Sequence, residues 1–261
     1  MDNPVFPETT LDVLAIGPHR DDLELSCGGT IVRLLELGYS VGMADMTAGE
    51  MGTRGTAEER EREAVAAAAA LGVNYRVNLE LPDGKLRDDD QTRDRLIRVI
   101  RATRPKLVLC PYPNDWRHPD HSLAGRVVPE AAFRSGFPKW ETGQRHHRPL
   151  MTIHYMMHYE FEPSFIVDIT GQWEKKMESV RCYRSQVHVA GHERPSDEEQ
   201  TYISRPEFSE RIEARNRYFG SKIAAKYGEP FWYPNAIRID NPMQLVAGSI
   251  ENFAQRGDKS T

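Results

Sequence analysis

Residues 11–24, LDVLAIGPHRDDLE, join a short apolar run to a turn and then to a group of charged side chains. The run Leu11–Ile16 has the length and composition of a strand buried on both faces, and Gly17-Pro18 ends it. Four polar residues follow at the carboxyl end of this predicted strand, namely His19, Arg20, Asp21 and Asp22. A short strand of this kind is typical of a parallel sheet that is covered by helices.

Similar apolar runs recur along the first half of the chain, and helical patterns lie between them. Further strands are predicted over residues 41–46, 75–81 and 107–111, and helices over residues 30–37, 57–71 and 93–103. This alternation predicts an α/β fold of Rossmann-like type, with a mostly parallel sheet and helices on both of its faces.

The second half of the chain has a less regular pattern. It predicts strands over residues 151–155 and 165–169, helices over 123–133, 172–183 and 207–226, and a long polar segment over 187–206. Long loops in compact proteins are often lids or binding loops. Because the chain has no internal repeat and no low-complexity linker, we expect a single domain over residues 1–261.

Composition excludes several classes of protein. The chain has 261 residues, 39% of them hydrophobic, and its net charge of −5 predicts neither a nucleic-acid partner nor a membrane surface. Its three cysteines, Cys27, Cys110 and Cys182, form no C-x-x-C pair, so we expect neither a disulfide framework nor a thiolate zinc site. The N-terminal residues show no signal peptide, and we therefore expect a cytoplasmic protein.

A second polar stretch, RHPDH at residues 117–121, follows the predicted strand 107–111. If both strands are parallel, the two polar loops open on the same edge of the sheet, where ligands bind in open α/β folds. His19, Asp22 and His121 would then offer two imidazoles and one carboxylate to a metal ion. This is the ligand pattern of a hydrolytic zinc site, and it also suits Fe(II).

Each polar stretch taken alone has a simpler interpretation. Neighbouring aspartates usually form a turn or cap a helix, and a single histidine in a loop is seldom a ligand. Two such stretches after two predicted parallel strands favour the metal site. Asp21 would stay uncoordinated beside the metal, as a general base does, and Asp120 could hold and polarise His118. We expect His154 and His158 to be structural.

Several motifs together resemble the LmbE/PIG-L zinc N-deacetylases. They include HRDD-L-E with GGTI, TAGEMGTRGTAEER, VNLELPDG, RHPDH, HHRP and YRSQV, and they span nearly the whole chain. The sequence is most similar to the bacillithiol-biosynthesis type, which removes the acetyl group from N-acetylglucosaminyl malate. The resemblance implies a Rossmann-like fold, a bound zinc ion and a homo-oligomer, often a hexamer.

The resemblance also implies a role for individual residues. His19, Asp22 and His121 match the zinc ligands, Asp21 matches the general base, and protonated His118, supported by Asp120, matches the group that stabilises the oxyanion. Arg60, Arg148 and Tyr202 match residues that contact the substrate. Arg20 stands where the family usually has a small residue or proline, and Arg20, Arg54, Arg60 and Arg148 could bind the carboxylates of malate.

The expected function is therefore zinc-dependent removal of the acetyl group from an N-acetylglucosamine conjugate, with N-acetylglucosaminyl malate as the first candidate. An alternative substrate is another N-acetyl amino sugar, such as N-acetylglucosamine or diacetylchitobiose. A different class would be a non-catalytic metal- or sugar-binding protein, which would have little chemical need for a free Asp21. The expected partner is a small amino sugar, with no nucleic acid and no membrane.

Overall fold

Seven strands form one sheet in the computed structural model, which describes residues 4–191 and 198–247. The strands are β1 (Val13–Gly17), β2 (Val41–Thr47), β3 (Tyr75–Leu81), β4 (Leu107–Pro111), β5 (Met151–Tyr155), β6 (Phe165–Asp168) and β7 (Gly228–Trp232). The helices are α1 (Asp22–Glu36), α2 (Ala57–Leu71), α3 (Asp90–Thr103), α4 (Pro119–Arg134), α5 (Trp173–Arg181), α6 (Glu207–Ser221) and α7 (Gln244–Ala247). Within the described ranges, no helix is long and apolar enough to cross a bilayer.

The strands lie in the order β3-β2-β1-β4-β5-β7-β6. The pairs β1/β2, β2/β3, β1/β4 and β4/β5 are parallel, whereas β7 runs antiparallel to both β5 and β6. The chain moves outward from β1 to β3 and then returns to place β4 on the other side of β1. Since ligands bind at such a reversal of strand order, the carboxyl ends of β1 and β4 mark the expected site.

Alternate residues of β1 face two different layers of helices. Leu14 and Ile16 lie in a core that they share with side chains of α3 and α4, whereas Val13 and Ala15 lie in a core shared with α1 and α2. All four are at most 3% exposed. The strand is therefore buried on both faces, and the prediction of a mostly parallel sheet with helices on both sides is confirmed.

Helix α1 has a kink, and a glutamate from β7 fills it. Cys27 has non-helical angles of φ −136° and ψ 18°. In a regular helix the N–H of Gly29 would bond to the carbonyl four residues earlier. Here it donates to Oε1 of Glu229 at 3.0 Å, while the N–H and hydroxyl of Thr30 donate to Oε2 at 2.7 and 2.6 Å.

The carbonyl that the kink releases also has partners. The oxygen of Leu25 accepts from Nζ of Lys176 at 3.1 Å and from the guanidinium of Arg215 at 2.7 Å. Lys176 in turn lies 2.5 Å from Oε1 of Glu229, and both of these side chains are at most 1% exposed. We call Glu229, Lys176 and Arg215 the kink clamp. It fixes the direction of the helix turn that carries Asp22.

Most predicted boundaries agree with the structure to within a few residues, although the predicted helix 207–226 ends at Ser221. Helix α1 begins at Asp22, whereas the sequence predicted a start at residue 30. The first turns were missed because Gly28 and Gly29, beside the kink, weaken the helical pattern. Strand β7 is missed because Gly228 and Pro230 are poor strand formers, and pairing with β5 and β6 decides its conformation. The predicted polar segment 187–206 includes residues 192–197, which lie outside the described residues.

Candidate active site

The two polar stretches meet at the edge where β1 and β4 end. His19 lies in the turn after β1, and Asp22 is the first residue of α1. His118 precedes α4 and His121 lies in the first turn of that helix. The rings of His19 and His118 are 4.7 Å apart, and those of His19 and His121 are 5.3 Å apart. We call His19, Asp22, His118 and His121 the histidine–aspartate cluster.

The three predicted metal ligands contact one another. Oδ2 of Asp22 lies 3.1 Å from Nδ1 of His19, and its Oδ1 lies 3.6 Å from Nε2 of His121. Oδ2 also accepts the backbone N–H of His19 at 2.9 Å. All three residues are at most 8% exposed. The carboxylate therefore lies between the two imidazoles.

Three sets of donor atoms lie within 4.8 Å of one another and could hold a metal ion. They are His19, His118 and His121, then His19, Asp83 and Asp120, and then Asp115, His121 and His158. The predicted set differs from these because the carboxylate of Asp22 is turned onto Nδ1 and the N–H of His19. Nε2 of His19 and Nδ1 of His121 are buried and have no hydrogen-bond partner. Such atoms are strong candidates for metal ligation.

Two residues beside His121 were not expected at the site. Asp115 is fully buried, and its Oδ1 lies 3.5 Å from Nδ1 of His121, on the side away from Asp22. A carboxylate in this position orients a ligating imidazole. His158 stacks on His121 with ring centres 5.5 Å apart, so His158, which was expected to be structural, lies beside the cluster and lines the cavity above it. His154, by contrast, bonds to the carbonyl of Pro111 inside the fold.

Asp83 is the second acidic residue that the sequence patterns did not single out. It follows the carboxyl end of β3, and its Oδ1 lies 3.2 Å from Nε2 of His19. Asp115 stands in the same relation to β4. Both could have been found by asking which acidic residues follow each predicted parallel strand, because those ends share one edge of the sheet.

Asp21 and Asp22 are neighbours in sequence with opposite pKa shifts. Burial raises the pKa of Asp21, the guanidinium of Arg60 opposes this, and the charge on Asp22 adds to it. Burial also acts to raise the pKa of Asp22, but His121 and His19 lower it well below its usual range. Carboxylates whose environments separate their pKa values in this way divide the roles of proton acceptor and permanent anion.

His118 is held by the start of helix α4. Its Nδ1 accepts the backbone N–H of Asp120 at 3.2 Å, one of the N–H groups that have no partner within the helix. The carboxylate of Asp120 instead accepts from the N–H of Gly84 at 2.8 Å and lies 3.5 Å from Nε2 of His19. The structure thus differs from the expectation that this carboxylate supports His118.

The surroundings of His118 favour a neutral imidazole, whereas the resemblance implies a protonated one. Burial lowers the pKa of His118, and positive charge on His19 and His121 lowers it further. Because Nδ1 accepts a hydrogen bond, the neutral ring carries its proton on Nε2. His118 can therefore donate a hydrogen bond from Nε2 as a neutral ring. The positive charge that the resemblance implied is not needed for this bond.

Arg60 and Tyr202 line a cavity of about 410 Å³ above the cluster, as their predicted contact with substrate requires. The guanidinium of Arg60 donates to Asp21 at 3.4 Å and to the carbonyl of Gly49 at 3.1 Å. Gly49 has φ +74°, and a β-carbon there would lie 2.1 Å from the guanidinium, so only glycine fits. The ring of Tyr202 lies 4.5 Å from the guanidinium carbon of Arg117, which also lines this cavity.

Arg20 and Arg54 do not line this cavity, which corrects their assignment to the substrate site. The guanidinium of Arg20 donates to the carbonyl of Ala57 at 2.7 Å and is buried against the start of α2. The guanidinium of Arg54 pairs with Glu198 at 3.2 Å. Both arginines connect the polar loops to their neighbours, and neither faces the cluster.

Arg148 is also misplaced by the sequence reasoning. Its Nε donates to the carbonyl of Phe133 at 3.0 Å, and its guanidinium lies 4.0 Å from the ring centre of that residue. Phe133 lies near the C-terminus of α4, whereas the cluster lies at the N-terminus. Fourteen residues of helix separate the two ends, or about 20 Å at 1.5 Å per residue.

A second, larger cavity of about 620 Å³ adjoins the first on the side of α6. We call the two the cluster cavity and the α6 cavity. Five residues line both of them: Asp22, Leu25, Arg117, His158 and Tyr202. The wall between the cavities therefore lies beside the histidine–aspartate cluster.

Comparisons with known proteins agree with this site. The family model PIG-L, described as GlcNAc-PI de-N-acetylase, matches residues 14–132, which include the whole histidine–aspartate cluster. The diacetylchitobiose deacetylase of Thermococcus kodakarensis is 34% identical over 190 residues, 67% of this chain and 69% of that enzyme. The "Probable N-acetyl-alpha-D-glucosaminyl L-malate deacetylase 2" of Bacillus cereus is 30% identical over 193 residues, 68% of this chain and 84% of that protein.

The similarity extends to a solved structure and to a relative with another reaction. The N,N'-diacetylchitobiose deacetylase of Pyrococcus horikoshii has a TM-score of 0.72 and 28% identity, and the match covers 90% of this chain and 88% of that one. The 4-oxalmesaconate hydratase of Pseudomonas putida is 28% identical over 192 residues, 67% of this chain and 74% of that enzyme. From the identity to the deacetylases and the family model that spans the cluster, the chain belongs to the PIG-L/LmbE family and is an enzyme of its deacetylase type.

Proposed function

We propose that this protein is a zinc-dependent N-deacetylase of an N-acetylglucosamine conjugate, with N-acetylglucosaminyl malate as the first candidate substrate. The observation that carries the proposal is the pair Asp21 and Asp22. One carboxylate lies among buried imidazoles and stays ionised, while its neighbour faces the same cavity with a raised pKa. A hydrolase needs both a ligand and a proton acceptor at one site.

The residues of the cluster fit a divalent metal. Two buried ring nitrogens, on His19 and His121, have no hydrogen-bond partner, and carboxylates lie within 4 Å of both. Nitrogen and oxygen donors of this kind suit Zn(II) and also Fe(II). His19, Asp22 and His121 would hold the ion, which when bound would polarise the amide carbonyl and lower the pKa of the attacking water.

The remaining groups supply the proton transfers. Asp21 accepts the proton of the attacking water and then passes it to the nitrogen of the leaving amine, and Arg60 holds the Asp21 carboxylate in place at 3.4 Å. The Nε2–H of His118 donates to the oxyanion that forms on the acetyl oxygen. Such a donor acts mainly in the transition state, because charge on that oxygen develops only there.

Arg117 is the arginine best placed to bind the carboxylates of malate. It is exposed and lines both cavities, whereas Arg20, Arg54 and Arg148 are engaged elsewhere. A guanidinium can bind a carboxylate through two parallel hydrogen bonds. A diacetylchitobiose-like amino sugar is the alternative substrate, and the identity to the Thermococcus kodakarensis enzyme favours it.

The experiment measures free amine released from N-acetylglucosaminyl malate, N-acetylglucosamine and diacetylchitobiose, with and without a chelator. We expect kcat/KM to be at least ten times higher for the malate conjugate and the chelator to abolish turnover. A preference for diacetylchitobiose would make that compound the proposed substrate and would leave the proposed deacetylation unchanged. No amine from any of the three would overturn the deacetylase, and hydration of 4-oxalmesaconate would then be assayed.

Two further parts of the proposal concern the oligomeric state of the protein and its location in the cell. We propose a homo-oligomer, a hexamer by resemblance, and the exposure of Trp116 (66%) next to Arg117 supports an interface near the site. The mass in solution, measured by light scattering, tests this, and a monomer would contradict it. A cytoplasmic location stays a prediction that fractionation of the source cells would test.

A further inference from the structure

The α6 cavity is large for a protein that removes only an acetyl group. Its volume of about 620 Å³ exceeds the 410 Å³ of the cluster cavity and falls within the range of roughly 300–1,000 Å³ of small-molecule sites. The two cavities share a wall that includes Asp22 and Tyr202. A substrate bound at the cluster therefore has a second cavity next to its reacting amide.

The two cavities differ in chemistry. The floor of the α6 cavity is apolar, formed by Met156, Met157, Phe208, Ile212 and Phe219, each at most 8% exposed. The cluster cavity is lined instead by groups that can hydrogen-bond to sugar hydroxyls, including Thr53, Arg60, Asp83, Gln186 and Thr201. An amino sugar suits the cluster cavity, and a hydrocarbon group suits the α6 cavity.

Two of the arginines that line the α6 cavity, Arg211 and Arg215, are engaged within the fold. The guanidinium of Arg215 donates to the carbonyls of Met157 and Leu25. The guanidinium of Arg211 donates to the hydroxyl of Tyr202 at 3.1 Å. These contacts hold the walls of the cavity next to its apolar floor, whereas Arg117 and Glu160 lie exposed at its edge.

We propose that the α6 cavity binds the acyl chain of the substrate, so that this enzyme hydrolyses N-acyl amino sugars with linear chains longer than acetyl. This inference rests on the proposed deacetylase function. The scissile amide has two sides, and the sugar with any group on its anomeric carbon takes one of them. Because the amide lies at the cluster and the sugar in the cluster cavity, the acyl carbon faces the wall that the two cavities share.

The reaction keeps the chemistry of deacetylation. The oxygen of one water bonds to the acyl carbon, and the bond between that carbon and the amide nitrogen breaks. Asp21 carries one proton of the water to the nitrogen, and the second proton of the water passes from the new carboxylic acid to the amine. The products are a linear carboxylate and the amino sugar with a protonated amine, and no further reactant is needed.

The first test compares N-acetyl-, N-butyryl- and N-hexanoylglucosamine by release of free amine. Each methylene buried on the apolar floor raises kcat/KM about three- to fourfold, and we expect the hexanoyl compound to exceed the acetyl compound at least tenfold. The octyl glycoside of N-acetylglucosamine forms a separate arm, because it carries a hydrocarbon chain on the sugar side.

The second test fills the α6 cavity from its exposed side. Ala214 is exposed on α6 and lines this cavity, whereas Glu210 is exposed on the same helix and lines neither. We expect Ala214→Phe to lower kcat/KM for the hexanoyl compound at least tenfold and to leave that for the acetyl compound within twofold. Glu210→Phe is the matched control and should change neither.

The outcomes separate this inference from the proposed function. Hydrolysis of the acetyl compound with no gain for longer chains would overturn the acyl assignment and leave the deacetylase intact. Equal losses on both substrates in Ala214→Phe, or the same selectivity in Glu210→Phe, would also overturn it. A preference for the octyl glycoside that Ala214→Phe removes would assign the cavity to the sugar side. No amine from any compound would overturn the function and, with it, this inference.

Discussion

Two buried groups of charged side chains contact helix α1, and they differ in how completely they are paired. In the kink clamp, Oε1 of Glu229 accepts from Gly29 and Lys176, and Oε2 accepts twice from Thr30. The histidine–aspartate cluster meets α1 at Asp22, about two helix turns earlier. There Nε2 of His19 is buried and makes no hydrogen bond, although Oδ1 of Asp83 lies 3.2 Å away.

This difference indicates which group stabilises the fold and which one binds a ligand. A buried charge whose donors and acceptors are all paired within the fold has no reason to bind a ligand, and its removal costs stability. A buried ring nitrogen that makes no hydrogen bond lowers the stability of the fold, and a metal ion or substrate can offset that cost. We therefore assign the clamp to structure and the cluster to chemistry, and changes in each should separate stability from activity.

The largest expected effect is on turnover in Asp21→Asn. The amide cannot accept the proton of water, so kcat should fall by about 10²–10⁴. Metal content by mass spectrometry and the unfolding midpoint should stay near the parent values. Asp22→Asn is the matched control and should lose metal as well as activity. Full activity in Asp21→Asn would contradict the assignment of the base.

Lys176→Met should have the next largest effect, and on stability instead. It leaves the carboxylate of Glu229 buried without its cation, which costs about 3–5 kcal/mol of unfolding free energy. Urea unfolding measures this cost. The double variant Lys176→Met/Glu229→Gln removes both charges and should recover part of it. A loss below about 1 kcal/mol in the single variant would show that the clamp is not a structural charge pair.

His118→Ala should lower activity less than the change at Asp21. Loss of one donor to an oxyanion typically lowers kcat by about 10²–10³, and KM should change little because the donor acts in the transition state. Steady-state kinetics separates the two parameters. His146, exposed and outside the cluster cavity, offers the control His146→Ala, which should behave like the parent. A change confined to KM would place His118 in substrate binding.

The smallest expected effect lies at the amino end of β1, away from both groups. Hydrogen bonds from Lys106, the backbone of Ser40 and its hydroxyl lower the pKa of Asp12 to about 2. Since this pKa lies below the usual aspartate value of 3.8, the pair stabilises the fold above about pH 4, and the contribution is lost as pH falls toward 2. Asp12→Asn should narrow the stability difference between pH 5 and pH 2.5. If Asp12→Asn left the stability difference between the two pH values unchanged, the result would contradict a stabilising pair of Asp12 and Lys106.

The fold was predictable where local pattern and burial agree. Val41–Thr47 and Leu107–Pro111 are apolar runs that end in turns, and the parallel sheet buries both of their faces. Strand β7 was not predictable, because Pro230 and Glu229 argue against a strand and only pairing with β6 and the demands of the α1 kink place them there. The position of Glu229, for example, depends on Gly29, which lies 200 positions away in the sequence.

Local pattern was enough to place His19, Asp21, Asp22 and His121 together, because parallel strands β1 and β4 end at one edge of the sheet. Only the tertiary structure decided which arginines face the substrate. Arg60 and Arg117 line the cluster cavity, whereas Arg20, Arg54 and Arg148 pair with other parts of the chain. The physical reason is length: an arginine side chain reaches several ångströms in many directions, so its neighbours in space, and not its position in a motif, fix where its charge lies.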